Sequence, residues 1–340
     1  MVTLNSRAKT EPRRILTEQP LNAPLSGVSA EFGYYPVSCN IETEKFSVQT
    51  LPDHNSIVAG IRNNPDVHDD WIYSGLGHRR DFMSGNVYLM PYSARVFGLP
   101  KTHVLKLHKS ESREELDFVV WCLSFFSGMR LTTTEAGFLD ATPIKPGKLV
   151  DFVLNRCEVA DVIALALNYL ESERDDPCAP KRIMAVIHAL FLAQYPQSLD
   201  FKRFQYLYMA LDGCFKLVAV KEAKKPRMPH AERIHWMCEK LGLKWSRDAK
   251  EVNEFLSSLS NIRNNTFHET LFFDEPLGFS IYGGNQPTPN SRNVTLKMLV
   301  RLVLRALVCR LLVAILGQSG DNYVTTPVDT RELYKLKLRG

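Results

Sequence analysis

The strongest constraint on how this chain folds is a change of apolar period near residue 150. Upstream, β-branched and aromatic runs cover Phe32–Val37, Lys45–Leu51, Ile57–Ile61, Asn86–Met90 and His103–His108. Asn-Asn-Pro, Ser-Gly-Asn and Gly-Leu-Pro punctuate them, which predicts short strands and turns. Downstream the period becomes 3.6, and helices are expected at Val159–Ser172, Lys181–Tyr195, Phe201–Lys221, His230–Leu241, Asp248–Phe267 and Asn293–Leu316. On the third of these, Phe204, Leu207, Tyr208, Leu211, Phe215 and Val218 fall on one side.

The expected fold class is therefore α+β, and 340 residues are enough for two ordinary domains. The organisation read from the pattern is a flexible arm over 1–30, a β-rich sensor or adaptor domain over 31–150, a helical domain over 151–320 and a tail over 321–340. One helix is expected inside the β-rich part. Ser112-Arg-Glu-Glu115 has capping-box spacing and opens an apolar stretch near 112–127 that stops at Ser127-Gly128. Residues 129–148 read as a linker, and the Gly-, Pro- and Asn-rich Thr270–Arg292 as a long loop of functional interest.

Composition narrows the function classes. With 45% hydrophobic and 23% charged residues the chain is neither collagen, coiled coil nor wholly disordered. Seven cysteines contain no C-x-x-C pair, which points to a reducing compartment and gives no thiol-based metal site. The polar N-terminus and the absence of a long uncharged apolar run predict a cytoplasmic protein without a membrane segment. Residues 1–150 balance 16 basic against 16 acidic residues, so the net charge of +5 resides entirely in the remainder. A mild preference for polyanions follows. In the last helix Lys297, Arg301 and Arg305 recur every four residues. They form one cationic stripe, either a solvated face with long stems over apolar surface or a rail for RNA phosphates.

The chemistry-bearing group lies late in the fifth expected helix. Asp248-Ala-Lys-Glu251 caps it, and Val252, Phe255, Leu256, Leu259 and Ile262 form its apolar stripe. Arg263 falls on that same stripe, where a guanidinium that cannot lose its proton needs an acid, an anionic ligand or a wet interface. Asp212 is the candidate internal acid. Asn264 and His268 are four residues apart and share a face. On a straight α-helix Arg263 and His268 point roughly 140° apart, so they converge only if the helix loosens or a second subunit supplies the complement. Together Arg263, Asn264 and His268 provide a cation for a phosphodiester and an imidazole for proton transfer near neutral pH, enough for RNA cleavage without metal or other cofactor. Arg62–His68 and Arg182–His188 have similar spacing. Pro65 marks the first as a turn, and Ile183 denies the second a polar neighbour. His230, His235 and Cys238 lack the companions of a zinc site.

The segment Arg263-Asn-Asn-Thr-Phe-His268 resembles the motif of the HEPN family (higher eukaryotes and prokaryotes nucleotide-binding domains): Arg, a polar residue, then His after four to six intervening positions. The resemblance covers roughly 155–317. It implies an α-helical bundle in which two copies of the motif face each other across a homodimer and form one metal-independent endoribonuclease site. It also implies RNA as partner and, from a looser likeness to longer members in bacterial defence against phage, an antiviral or toxin role with a regulatory or phage protein as a second partner. The alternative is a non-catalytic HEPN-like module that binds RNA, nucleotide or protein.

Overall fold

The computed structural model describes residues 27–75, 77–90, 96–151, 157–222, 228–244, 259–272, 275–276 and 291–328. The fold is α+β, with sheets first and helices after them. The expected arm lies almost wholly outside the described residues; the expected tail is described as far as Val328, and there it is a short helix with Tyr323, Val324 and Val328 buried in the core.

The first sheet joins four short strands: β1 (Val28–Phe32), β2 (Ile41–Glu42), β3 (Phe46–Thr50) and, after a long excursion, β9 (His103–Leu107). Their order is β1-β9-β3-β2, all antiparallel. Leu105 lies opposite both Ala30 and Val48, and Phe46, Val48, Leu105 and Leu107 are buried together. That alternation is the two-residue period of one covered face. The excursion contains α1 (His54–Arg62), β4 (Val67–His68), β5 (Trp71–Tyr73), the hairpin of β6 (Gly77–Arg80) with β7 (Val87–Met90), and β8 (Val96–Phe97).

Two expectations change here. Ile57–Ile61 is not a strand: it lies inside α1, because the buried residues His54, Val58 and Ile61 are spaced four and three apart, one face of a helix. The Phe32–Val37 run is also displaced. The strand begins at Val28, inside the expected arm, and ends at Phe32, beyond which Gly33 has φ of +144° and pairs only with Thr132.

Helix α2 (Arg113–Ser127) is the wall shared by both halves. It packs on β1 and β9 from one side and on α3 (Val159–Ser172) and α4 (Cys178–Leu192) from the other. Accordingly Leu116, Phe118, Val119, Cys122, Leu123, Phe125 and Phe126 are buried around most of its circumference. The capping box forms by half: Ser112 Oγ accepts the Glu115 N–H at 3.3 Å, whereas the Glu115 carboxylate takes the Ser110 hydroxyl. Gly128 closes the helix at φ of +64°, where an added Cβ would meet Gly147 and Val150 at 2.8 Å. The presumed linker that follows contains β10 (Phe138–Leu139), paired with β8, and β11 (Ala141–Pro143), paired with β5.

The helical part continues with α5 (Asp200–Ala219), α6 (His230–Leu241), α7 (described over 259–264), α8 (Ser291–Val313) and α9 (Asn322–Thr325). The expected loop Thr270–Arg292 contains a small ladder, β12 (Leu271–Phe272) with β13 (Glu275–Pro276); residues 277–290 lie outside the described set. No described helix is long and apolar enough to cross a membrane.

Among the described residues a buried ion pair ties the junction between the two halves, at Asp151, to α8. Asp151 Oδ2 accepts Arg310 Nη1 at 3.3 Å and the Tyr323 hydroxyl at 3.2 Å, and the Arg310 guanidinium lies over the Tyr323 ring at 4.5 Å. Both charged side chains are almost fully enclosed. Asp151→Ala is expected to cost about 3–5 kcal/mol of unfolding free energy in urea titrations, since Arg310 is left buried without a counter-charge. Asp151→Leu combined with Arg310→Met should recover most of it; a single-mutant loss below about 1 kcal/mol would refute the pairing.

Candidate functional site

The site is built at the end of α7. Leu259 and Ile262 are buried and anchor the helix, and Thr266 is buried with its hydroxyl donated to the Ile262 carbonyl at 2.6 Å. From Asn265 to Glu269 the backbone widens into a π turn, which Thr270 ends in the left-handed conformation at φ of +54°. Directly after it, Phe272 is buried against Phe204 of α5, with ring centroids 5.8 Å apart. The exit of the turn is thereby pinned to the bundle.

This widening has a direct chemical effect. In a π turn the hydrogen bond runs to the fifth residue, so side chains five apart become neighbours. Arg263 Nη1 lies 3.0 Å from His268 Nε2 and donates to Asn264 Oδ1, also at 3.0 Å. All three residues singled out from the sequence thus meet in one chain. Because the guanidinium can only donate, His268 Nε2 is the acceptor in this contact. Asn264 and His268 are exposed and Arg263 is half-buried, its guanidinium over the Phe267 ring at 5.4 Å.

Asp212 does not pair with Arg263. Its carboxylate accepts Arg233 Nη1 at 3.0 Å and stands 3.7 Å from His230 Nδ1. That imidazole nitrogen also receives the Tyr208 hydroxyl at 3.1 Å and Arg233 Nη1 at 3.2 Å. Tyr208 in turn faces Phe267 of the π turn at 6.4 Å between ring centroids. Burial and the positive charges of Arg233 and Arg263 push the His230 pKa down, with Asp212 opposing them. The ring is therefore neutral at pH 7. Burial, reinforced by Asp212, pushes the Tyr208 hydroxyl up to about 12, so it remains a donor. The Nε atoms of Arg233 and Arg263 are both buried and have no hydrogen-bond partner among the described residues. Two guanidiniums and two imidazoles thus gather near Asp212, the acid in the described ion pairs of this cluster, a composition suited to an anionic ligand.

Sequence reasoning weighed His230 only as a metal ligand and missed Tyr208 and Arg233. The available signal was the three-residue step from His230 to Arg233 on one helix face, together with Tyr208 and Asp212 four apart on α5. Among the described residues no three His, Cys, Asp or Glu gather in a way that would hold a metal ion. Arg305 of the cationic stripe is half-buried and donates to Gln194, in the turn just after α4, at 3.2 Å. The side chains of Lys297 and Arg301 lie outside the described residues, as do Val252, Phe255 and Leu256. The other spaced pairs are dispersed: Arg62 ends α1 while His68 is in β4, and Arg182 bonds Asp176 while His188 packs on Trp121.

No family model, curated protein or solved structure matches this chain.

The cluster makes a titration prediction. Below pH of roughly 6.5 an unfolded imidazole takes up a proton that folded His230 resists, so this residue's contribution to stability falls as the pH drops through that value. Arg233→Met should raise the His230 pKa by removing a like charge, and Asp212→Asn should lower it further. Histidine ring NMR titrations read both; an unmoved curve in both variants would contradict the arrangement.

Proposed function

We propose that the protein is a metal-independent endoribonuclease of HEPN type, acting on single-stranded or loop RNA. The observation that carries this reading is the 3.0 Å approach of Arg263 to His268 through the π turn. In the reaction, the ribose 2′-oxygen attacks the adjacent phosphorus, the P–O5′ bond breaks, and a 2′,3′-cyclic phosphate and a 5′-hydroxyl result. Arg263 holds the non-bridging oxygens as negative charge grows there. An arriving phosphate draws the guanidinium away from His268 Nε2, which frees that nitrogen to move a proton between the 2′-hydroxyl and the leaving oxygen. Asn264 orients the guanidinium through its amide oxygen.

A second copy facing this helix would double the set of guanidiniums and imidazoles, and a homodimer is part of the proposal. So is a cytoplasmic role in defence against phage, with the β-rich half as sensor for a regulatory or viral protein. The purified chain in EDTA should convert RNA to fragments with cyclic-phosphate ends, and Arg263→Ala or His268→Ala should lower that activity at least a hundredfold while leaving Tm unchanged. Cleavage that persists in both variants ends this assignment.

A second reading has its own support. His268 Nε2 is occupied by Arg263 in this geometry, as befits a non-catalytic module that uses the cluster only to bind. Salt-dependent RNA binding without products, and unaffected by His268→Ala, would select it.

A further inference from the structure

Away from the α7 cluster, a cleft of about 760 Å³ opens where β5 and β11 face the turn that joins α4 to α5. Its size falls within the roughly 300–1,000 Å³ of ligand sites, which favour the junctions between domains. Among its described lining residues Tyr73, Tyr195 and Tyr206 bring three partly exposed rings, and Lys202 an exposed ammonium group. Asp140 stands at the β11 edge.

The wall that carries Tyr195 is fixed before any ligand arrives. Arg203 donates to the carbonyls of Ser198 at 2.8 Å, Pro196 at 2.9 Å and Ala193 at 3.3 Å, which holds the turn in one shape. Trp71 meets the Tyr195 ring edge-on, with centroids 6.1 Å apart. A ring held in this way loses little freedom when a ligand stacks on it. Burial, with Arg130 opposing and Asp140 and Tyr206 reinforcing it, pushes the Tyr195 hydroxyl up to about 12, so it remains a donor at neutral pH. Three cations converge on the turn: the field of Arg130 reaches Tyr195, Arg305 donates to Gln194 at 3.2 Å, and Lys202 lines the cleft.

The cleft and the α7 cluster lie on opposite flanks of α5. Lys202 and Tyr206 are four apart and line the cleft, whereas Phe204, Tyr208 and Asp212, also spaced by four, meet Phe272, Phe267 and Arg233. Tyr206 and Tyr208 point roughly 160° apart around the helix, so about one helix width, roughly 10 Å, separates the two sites. We propose that the cleft is a second binding site for single-stranded RNA, in which an unpaired base stacks on the tyrosines and Lys202 meets a backbone phosphate. Aromatic rings beside a cation bind unpaired nucleotides because every base has a stacking face and every linkage a charge. The inference rests on the ribonuclease reading for its choice of ligand, and its test reads binding, so that failure of the one is distinct from failure of the other.

The probe is a short 2′-O-methyl RNA containing one 2-aminopurine, which offers no 2′-hydroxyl for attack and so reports binding alone. On addition of the full chain its fluorescence should be quenched by stacking. Tyr195→Leu and Tyr206→Leu should each weaken binding at least fivefold, the lower end of the range for one stacked base, while Tyr206→Phe keeps the ring and stays within about twofold. Lys202→Ala, at an exposed position where folding is not at stake, should flatten the slope of log K against log salt by about 0.7, the value for one phosphate of a single strand. Quenching that survives in His268→Ala while cleavage of ordinary RNA is lost supports two separate sites. Quenching by a parent chain that cleaves nothing would end the nuclease assignment and leave the cleft standing. The proposal is overturned if the parent chain at about 100 μM, the weak end of non-specific binding, leaves the probe unquenched. It is overturned equally if both leucine variants bind as the parent does, or if Lys202→Ala leaves the salt slope unchanged.

Discussion

The buried pair of Asp151 and Arg310, completed by the Tyr323 hydroxyl, is the contact on which the arrangement of this chain most depends. Asp151 stands where the sheets hand over to the helices, and Arg310 sits 159 residues later on α8. Two charges withdrawn from water are tolerable only when each meets the other; here the Ala306 carbonyl and the Tyr323 hydroxyl add hydrogen bonds, while Arg310 Nε has no partner among the described residues. Its effect reaches the candidate site by packing. Helix α8 lies along α5, and α5 carries Tyr208 and Asp212, against which α6 and the π turn assemble.

At the site itself the decisive device is one widened turn. A continuous α-helix would have sent Arg263 and His268 in divergent directions, and the π turn brings them to hydrogen-bond distance. That conformation is held on both sides, by Thr266 bonded to Ile262 within the helix and by Phe272 stacked on Phe204 after it. Helix α6 then adds His230 and Arg233, so that positive charge concentrates at a partly open surface. Asp212 is engaged by Arg233, and Arg263 has no acidic partner among the described contacts.

Legibility from the sequence followed how local the determining physics was. The limits of α3 and α6 and the end of α2 at Gly128 could be read because an amphipathic stripe and a left-handed cap are properties of a few consecutive residues. Ile57–Ile61 misled because β-branched residues favour strands on average, while burial on one face of α1 chose a helix there. Arg305 illustrates the same limit on a surface: its periodic place in a cationic stripe was visible, and its bond to Gln194, just after α4, was not.

The sequence by itself determined the α+β class, the change from strands to helices near residue 150, and the residue types Arg263, Asn264 and His268 with their spacing. These depend on periodicity and side-chain chemistry, which a linear string carries in full. Only the tertiary structure decided that Arg263 and His268 touch and that Asp212 belongs to Arg233. Each of those outcomes turns on ångström-scale approach between segments distant in the chain or on a one-residue change in helix winding. Such approaches are set by the packing of the whole core, which no local window encodes.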